Sequence, residues 1–132
     1  MATDGKVALS KIRQIALPVR DIGEGTRFYR DTLGMRHLFD APPALSFFDC
    51  GGVQLMLAGP EGQGEDGDQQ HAVLFYDVSD IKATHAKIKS SGARSLEEPR
   101  VIARINGREI WISSVSDGQG NVVSLMSDVP EA

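Results

Sequence analysis

The sequence is short of the residues that several common protein classes depend on. Its single cysteine, Cys50, excludes an internal disulfide and fits a reducing, cytoplasmic location. No catalytic context surrounds Cys50, which reads as a small apolar filler. Lys and Arg number 14 against 18 Asp and Glu, for a formal net charge of −4, and they are scattered along the chain. A nucleic-acid partner, which needs a basic stripe, is therefore not expected. No long apolar run occurs, and Met1 to Ser10 includes Asp4 and Lys6, so neither a signal peptide nor a membrane partner is expected.

Several site motifs are missing as well. There is no Gly-x-Ser-x-Gly elbow, which argues against a serine hydrolase. Gly118-x-Gly120 lacks a third glycine and leads into a strand, so it is not a dinucleotide cradle. Gly59 to Gly67 lacks the Gly-Lys-Ser/Thr ending of a phosphate loop. Glu61, Glu65, Asp66 and Asp68 do not follow calcium-loop spacing.

What remains is an ordinary globular composition, 41% hydrophobic and 24% charged, at a length of 132 residues that suits one compact domain. Alternation predicts a strand over Ile12 to Val19. Asp21 reads as a helix N-cap with Glu24 three residues on, as in a capping box. Ile22, Thr26, Tyr29 and Leu33 follow at helical spacing, and Gly34 suits the C-terminal cap. Strands are expected over Met35 to Asp40 and Ala44 to Cys50, then a Gly51-Gly52 hairpin and a fourth strand over Val53 to Ala58. Gly59 to Gln70 reads as an exposed linker. The order then repeats: a strand over His71 to Val78, a helix over Asp80 to Gly92, and an irregular strand over Ser95 to Ile105 broken at Pro99. An Asn106-Gly107 turn joins the last two strands, Glu109 to Ser116 and Asn121 to Ser127. Val19-Arg20-Asp21-Ile22 matches Val78-Ser79-Asp80-Ile81 at an offset of 80 − 21 = 59, and Gly34-Met35-Arg36 matches Gly92-Ala93-Arg94 at 92 − 34 = 58. The expectation is α+β, two tandem βαβββ modules at about 11–58 and 71–127 joined by linker 59–70.

The stretches Ile12 to Arg36, Phe75 to Ala93 and Ser116 to Met126 resemble the vicinal oxygen chelate superfamily of glyoxalases, bleomycin-resistance proteins and dioxygenases. Its usual Asp-Pro-Asp-Gly-Asn turn is varied here to Asp117-Gly118-Gln119-Gly120-Asn121. The resemblance implies curved mixed sheets around a cleft, homodimers in many members, and, in metal-dependent members, one ligand on the first and fourth strand of each module. Counting seven back from the capping acids gives Gln14 and Val73, and the fourth-strand positions fall on Met56 and Ser124. Amide, thioether, isopropyl and hydroxyl do not compose a hard-metal site, so neither a metal nor another cofactor is expected. His71, two residues before Val73, is the one added candidate, as a ligand on a shifted strand or as a general base. His37 and His85 show no acidic partner at ligand spacing.

Strand alternation puts Ile12, Gln14 and Ala16; Gln54, Met56 and Ala58; His71, Val73 and Phe75; and Val122, Ser124 and Met126 on the cleft face. Such a face suits a small, partly hydrophobic ligand oriented by Gln14, Gln54, His71 and Ser124. Trp111 could stack on that ligand or pack in the core. The function expected is metal-independent small-molecule binding. The alternatives are a lyase, isomerase, epimerase or ring-cleaving dioxygenase with an atypical metal site, and a module whose cleft serves a partner chain.

Overall fold

The computed structural model describes residues 7–8, 10–63 and 72–132. Two four-stranded sheets repeat one plan. Sheet 1 contains β1 (Gln14–Pro18), β2 (Arg36–Ala41), β3 (Leu45–Cys50) and β4 (Val53–Ala58) in the order β1-β4-β3-β2. Sheet 2 contains β5 (Leu74–Asp77), β6 (Ser95–Ile105), β7 (Arg108–Ser116) and β8 (Val122–Pro130) in the order β5-β8-β7-β6. The first and last strands of each sheet pair in parallel, and the other pairs are antiparallel. Both sheets are mixed, as expected, and they do not close on one another.

Each crossover carries one helix. In the first, α1 (Ile22–Arg27) continues as a wider π-helical turn over Phe28–Thr32, so the single helix read from the spacing changes pitch before Gly34 ends it at φ +72°. Asp21 Oδ1 accepts from the Glu24 amide at 2.8 Å, but the reciprocal half of the capping box is not formed. The Asp21 amide donates instead to Gln119 Oε1 at 2.7 Å, from the far end of the chain. The second helix, α2 (Ile81–Ser90), is capped by Asp80 in the same manner. Gly25 lies against Val19, where a Cβ would meet Cγ1 at 3.3 Å; only a residue without a side chain lets α1 sit so close.

Alternation along the strands fills one core. Phe48, Leu55 and Leu57 from sheet 1 join Val115, Val123 and Leu125 from sheet 2, with Tyr29 from the π-helical turn after α1 and Ile81 and Ile88 from α2. Large side chains buried this way contribute roughly 1.5–3 kcal/mol each. The hairpin glycines behave as the sequence indicates. Gly51 and Gly52 have φ of +60° and +91°, and Asn106 and Gly107 have φ of +52° and +75°.

Several details differ from expectation, β8 among them, which runs on to Pro130 rather than ending at Ser127. The first strand begins at Gln14 rather than Ile12. The fifth begins at Leu74, because Val73 and Ala72 precede the ladder. Strand β6 is continuous through Pro99, with the interruption absorbed as register shifts on either side of it. The linker is anchored at its start: Pro60–Gly62 forms a 3₁₀ turn, and Gln63 Nε2 donates to the Ala58 and Val19 carbonyls at 2.8 and 3.2 Å. Residues 64–71, including His71, lie outside the described residues.

Candidate functional site

The faces of the two sheets that carry no helix form the candidate site. On sheet 1, the parallel register pairs Gln14 with Gln54 and Ala16 with Met56. Gln54 Nε2 donates to Gln14 Oε1 at 2.6 Å, and Gln14 Nε2 reaches Met56 Sδ at 3.8 Å. The three side chains form a chain of contacts in which Gln14 both accepts and donates. Ala58 lies at the end of the same strand but is buried, so it adds no open surface.

Two residues on this face went unnoticed in the sequence. Phe47 pairs with Met56 and stacks on Phe39, with centroids 4.5 Å apart and planes 18° apart. Phe39 remains 50% exposed. A bulge between His37 and Phe39 changes the alternation of β2 and turns Phe39 onto the side of Phe47. The -Phe-Phe- pair at 47–48 carried part of the signal, since one of two adjacent aromatics must leave the core. The bulge did not announce itself.

The same bulge corrects the reading of His37. Its Nε2 lies 2.7 Å from Asp40 Oδ1, which holds the Asp40 carboxyl below the usual carboxylate range. Regular alternation would set residues 37 and 40 on opposite faces; the extra residue brings them together. His85 also has polar partners that the sequence did not reveal. It is buried beneath α2 with Nδ1 and Nε2 each 2.9 Å from the Ser113 and Ser95 hydroxyls, and Glu98 Oε2 lies 3.4 Å from Nε2. Ser95 Oγ donates to Glu98 at 2.6 Å. Ser95 and then Lys89 hold the Glu98 carboxyl down at about 2. Both clusters lie apart from Gln14 and Met56.

On sheet 2, Phe75 pairs with Ser124, and Asp77 with Met126. Ser124 is buried and Met126 half-buried, whereas Val73 and Phe75 are each 51% exposed. Trp111 belongs to the opposite side of its sheet. It packs on the core, Lys82 of α2 sits 4.7 Å from its ring centroid, and its Nε1 donates to Glu109 at 3.2 Å. Stacking on a ligand at the helix-free face is thereby ruled out for Trp111.

The chemistry of these groups can be stated. The four positions that would hold a metal by resemblance are Gln14, Met56, Val73 and Ser124, and they offer no imidazole and no carboxylate. Gln14 is already engaged by Gln54 and Met56. These residues do not fit a hard cation. Among the described residues, no three His, Cys, Asp or Glu side chains converge to hold a metal. Burial, then the neighbouring Asp49, raises the Cys50 thiol, so Cys50 is not an activated nucleophile. Burial likewise pushes the Tyr76 phenol up to about 12.

A loop from the second half fixes the first against it. Asp117 Oδ2 accepts from the buried Tyr29 hydroxyl at 2.9 Å and from Asn121 Nδ2 at 2.8 Å, while Oδ1 accepts from the Gln119 and Asn121 amides. Asn121 Nδ2 also donates to the Pro18 carbonyl at 2.8 Å. Gly118 adopts φ +73°, which proline cannot, so the departure from the usual turn sequence has a conformational reason.

Comparison with known proteins agrees with this arrangement. The family model for the Glyoxalase/Bleomycin resistance protein/Dioxygenase superfamily matches residues 11–125. A lactoylglutathione lyase from Agrobacterium tumefaciens superposes with a TM-score of 0.71 at 21% identity, covering 91% of this chain and 95% of that one. A virulence protein from Salmonella typhimurium gives 0.73 at 22% identity over 92% and 98% of the two chains. A glyoxalase-related enzyme from Fulvimarina pelagi gives 0.72 at 16% identity over 90% and 88%. At such identities the likeness speaks for the fold alone. No curated protein matches the chain by sequence. No helix among the described residues is long and apolar enough to cross a membrane.

Proposed function

Because the chain belongs to the Glyoxalase/Bleomycin resistance protein/Dioxygenase superfamily, we propose that it binds a small, partly hydrophobic molecule on the helix-free face, without a protein-held metal. One observation carries this reading: the exposed Phe39, stacked on the buried Phe47, lies on the same face as Met56 and the coupled Gln14 and Gln54 amides. An apolar platform beside a few fixed hydrogen-bonding groups suits a ligand with an aromatic or alicyclic body and one or two neutral polar substituents. Gln14 Nε2 is held only by a weak thioether acceptor, so a ligand oxygen would improve on its present partner. On sheet 2, Phe75 and Val73 add exposed apolar surface and the half-buried Met126 extends it, while the buried Ser124 hydroxyl lies beneath. The exposure of Val73, Phe75 and Val122 also favours a homodimer in which a second copy covers this surface.

Thermal stabilisation by a panel of antibiotics and metabolites, with elemental analysis of the untreated protein, tests the proposal. A stabilising compound whose effect falls in both Phe39→Ala and Gln14→Ala, in protein holding far less than one metal per chain, is the expected result. Stoichiometric metal that survives purification and is lost in Gln14→Ala would remove it. A turnover abolished by His71→Ala would replace binding with catalysis, His71 being the candidate general base.

A further inference from the structure

One concavity lies away from the helix-free face. A cavity of about 550 Å³ opens between α1 and the turn joining β2 to β3. That volume falls in the range of roughly 300–1,000 Å³ found for small-molecule sites. Neither Gln14, Gln54, Met56 nor Phe39 lines it. We propose that it is a second ligand site, one that takes an organic acid with an apolar body.

The lining supports this in two ways. Its apolar part is rigid: Ile22 faces Ala44 across Gly59, where a Cβ would lie 3.2 Å from the Cβ of each. Pro42 and Pro43 form the rim, their φ angles fixed by the pyrrolidine rings, so little ordering is required on binding. Its charged part is set by two guanidiniums, Arg27 and Arg30, with the Asp40 carboxylate in the lining and the Asp31 carboxylate outside it paired to Arg30.

The three charges are not equally available. Asp40 Oδ1 is already taken by His37 Nε2 at 2.7 Å. Arg30 is held in place by Asp31 through Nε and Nη2, at 2.8 and 3.0 Å. Two of the five guanidinium N–H groups are used there, and three are left for another acceptor. Arg27 has no hydrogen-bond or ion-pair partner among the described residues. Its guanidinium lies back over Gly23, where a Cβ would come 3.6 Å from Nη1. A carboxylate placed between Arg27 and the free edge of Arg30 would receive charge-assisted hydrogen bonds, with its apolar body against Ile22 and the prolines.

Phenylacetate is a suitable probe, with phenylacetamide and acetate as its neutral and body-less counterparts. Titrated into ¹⁵N-labelled protein and followed by NMR, phenylacetate is expected to shift the amides of residues 22–27, Ala41, Ala44 and Leu45 and the Arg27 Nε resonance saturably. Phenylacetamide and acetate should each bind about tenfold more weakly, since one loses the charge-assisted bonds and the other the apolar contact. Arg27→Gln should lower phenylacetate affinity about tenfold, and Arg27→Lys should restore most of it. Gln14→Ala and Phe39→Ala serve as controls on the other face and should leave this binding unchanged, so failure of one site does not decide the other. Equal binding of the acid and the amide, indifference to Arg27→Gln, or shifts confined to the helix-free face would overturn the proposal.

Discussion

The two halves of the molecule share a strand order and a helix-capping device, yet they fill the layer between helix and sheet differently. In the first half that layer is aromatic: Tyr29 and Phe48 are almost fully buried and 6.3 Å apart between centroids. In the second it is threaded by a buried imidazole held between two serine hydroxyls, with Val115, Val123 and Leu125 around it. The frame of the repeat therefore depends on alternation and turn chemistry, not on which core residues are used. A half that relies on polar bridges must satisfy every one of them, whereas an aromatic half must fill its volume.

That contrast can be tested by truncation. Phe48→Ala should cost about 4 kcal/mol and Val115→Ala about 2 kcal/mol in urea unfolding, because the larger cavity forfeits more contacts. Equal losses would mean that the aromatic layer collapses around the gap. Asp117→Ala attacks the connection between the halves and should cost about 3 kcal/mol, since it orphans the Tyr29 hydroxyl and two loop amides. If unfolding then splits into two steps, the halves have separate stabilities; a single transition shifted to lower urea would show that the shared core still couples them.

How much of this was legible in advance follows from the same contrast. The offset of 59 between Asp21 and Asp80, and the glycine pairs at the turns, carried the repeat, because caps and positive-φ turns are local chemistry. Alternation placed Leu55 and Leu57 in the core and Gln14 and Met56 on the other face for the same reason. The bulge after His37 was not legible, since an inserted residue leaves no mark in hydrophobic period. With it, Phe39 and the His37–Asp40 contact went unread. The Gln119 and Asp117 contacts span 98 and 88 residues, and no local pattern reports a partner so distant. Trp111 needed the register of β7 against β8 before its side was known.

Smaller effects separate the halves further. Glu98 is titrated well below its unfolded value of 4.5, at about 2, by Ser95 and Lys89. A carboxyl whose folded pKa is depressed contributes stability that is fully present above the unfolded value and is lost as pH falls through the folded one. Glu98→Gln should therefore be less stable than the parent at pH 6, with the difference closing between about pH 4.5 and pH 2. A pH-independent difference would assign the effect to packing. Last, Ser46 and Ser113 are both buried serines, one in each sheet, but among the described residues Ser46 Oγ makes no well-formed hydrogen bond, only a weak contact toward Asp40, while Ser113 bonds to His85. Ser46→Ala should raise stability by up to about 1 kcal/mol, and Ser113→Ala should lower it by about the same amount. Melting temperatures moving in the same direction would break the comparison.

The irregular register of β6 has a consequence beyond this single chain. At eleven residues it is the longest strand, it stands at the margin of sheet 2, and Ile102 and Ile105 along it are open to solvent. A straight ladder there would offer its free amides and carbonyls as a template for fibril growth. Pro99 withholds one donor, the bulges twist the ribbon away from flat, and the acids and arginines between them repel or misalign an incoming copy. The strand can thus afford its length without seeding aggregation.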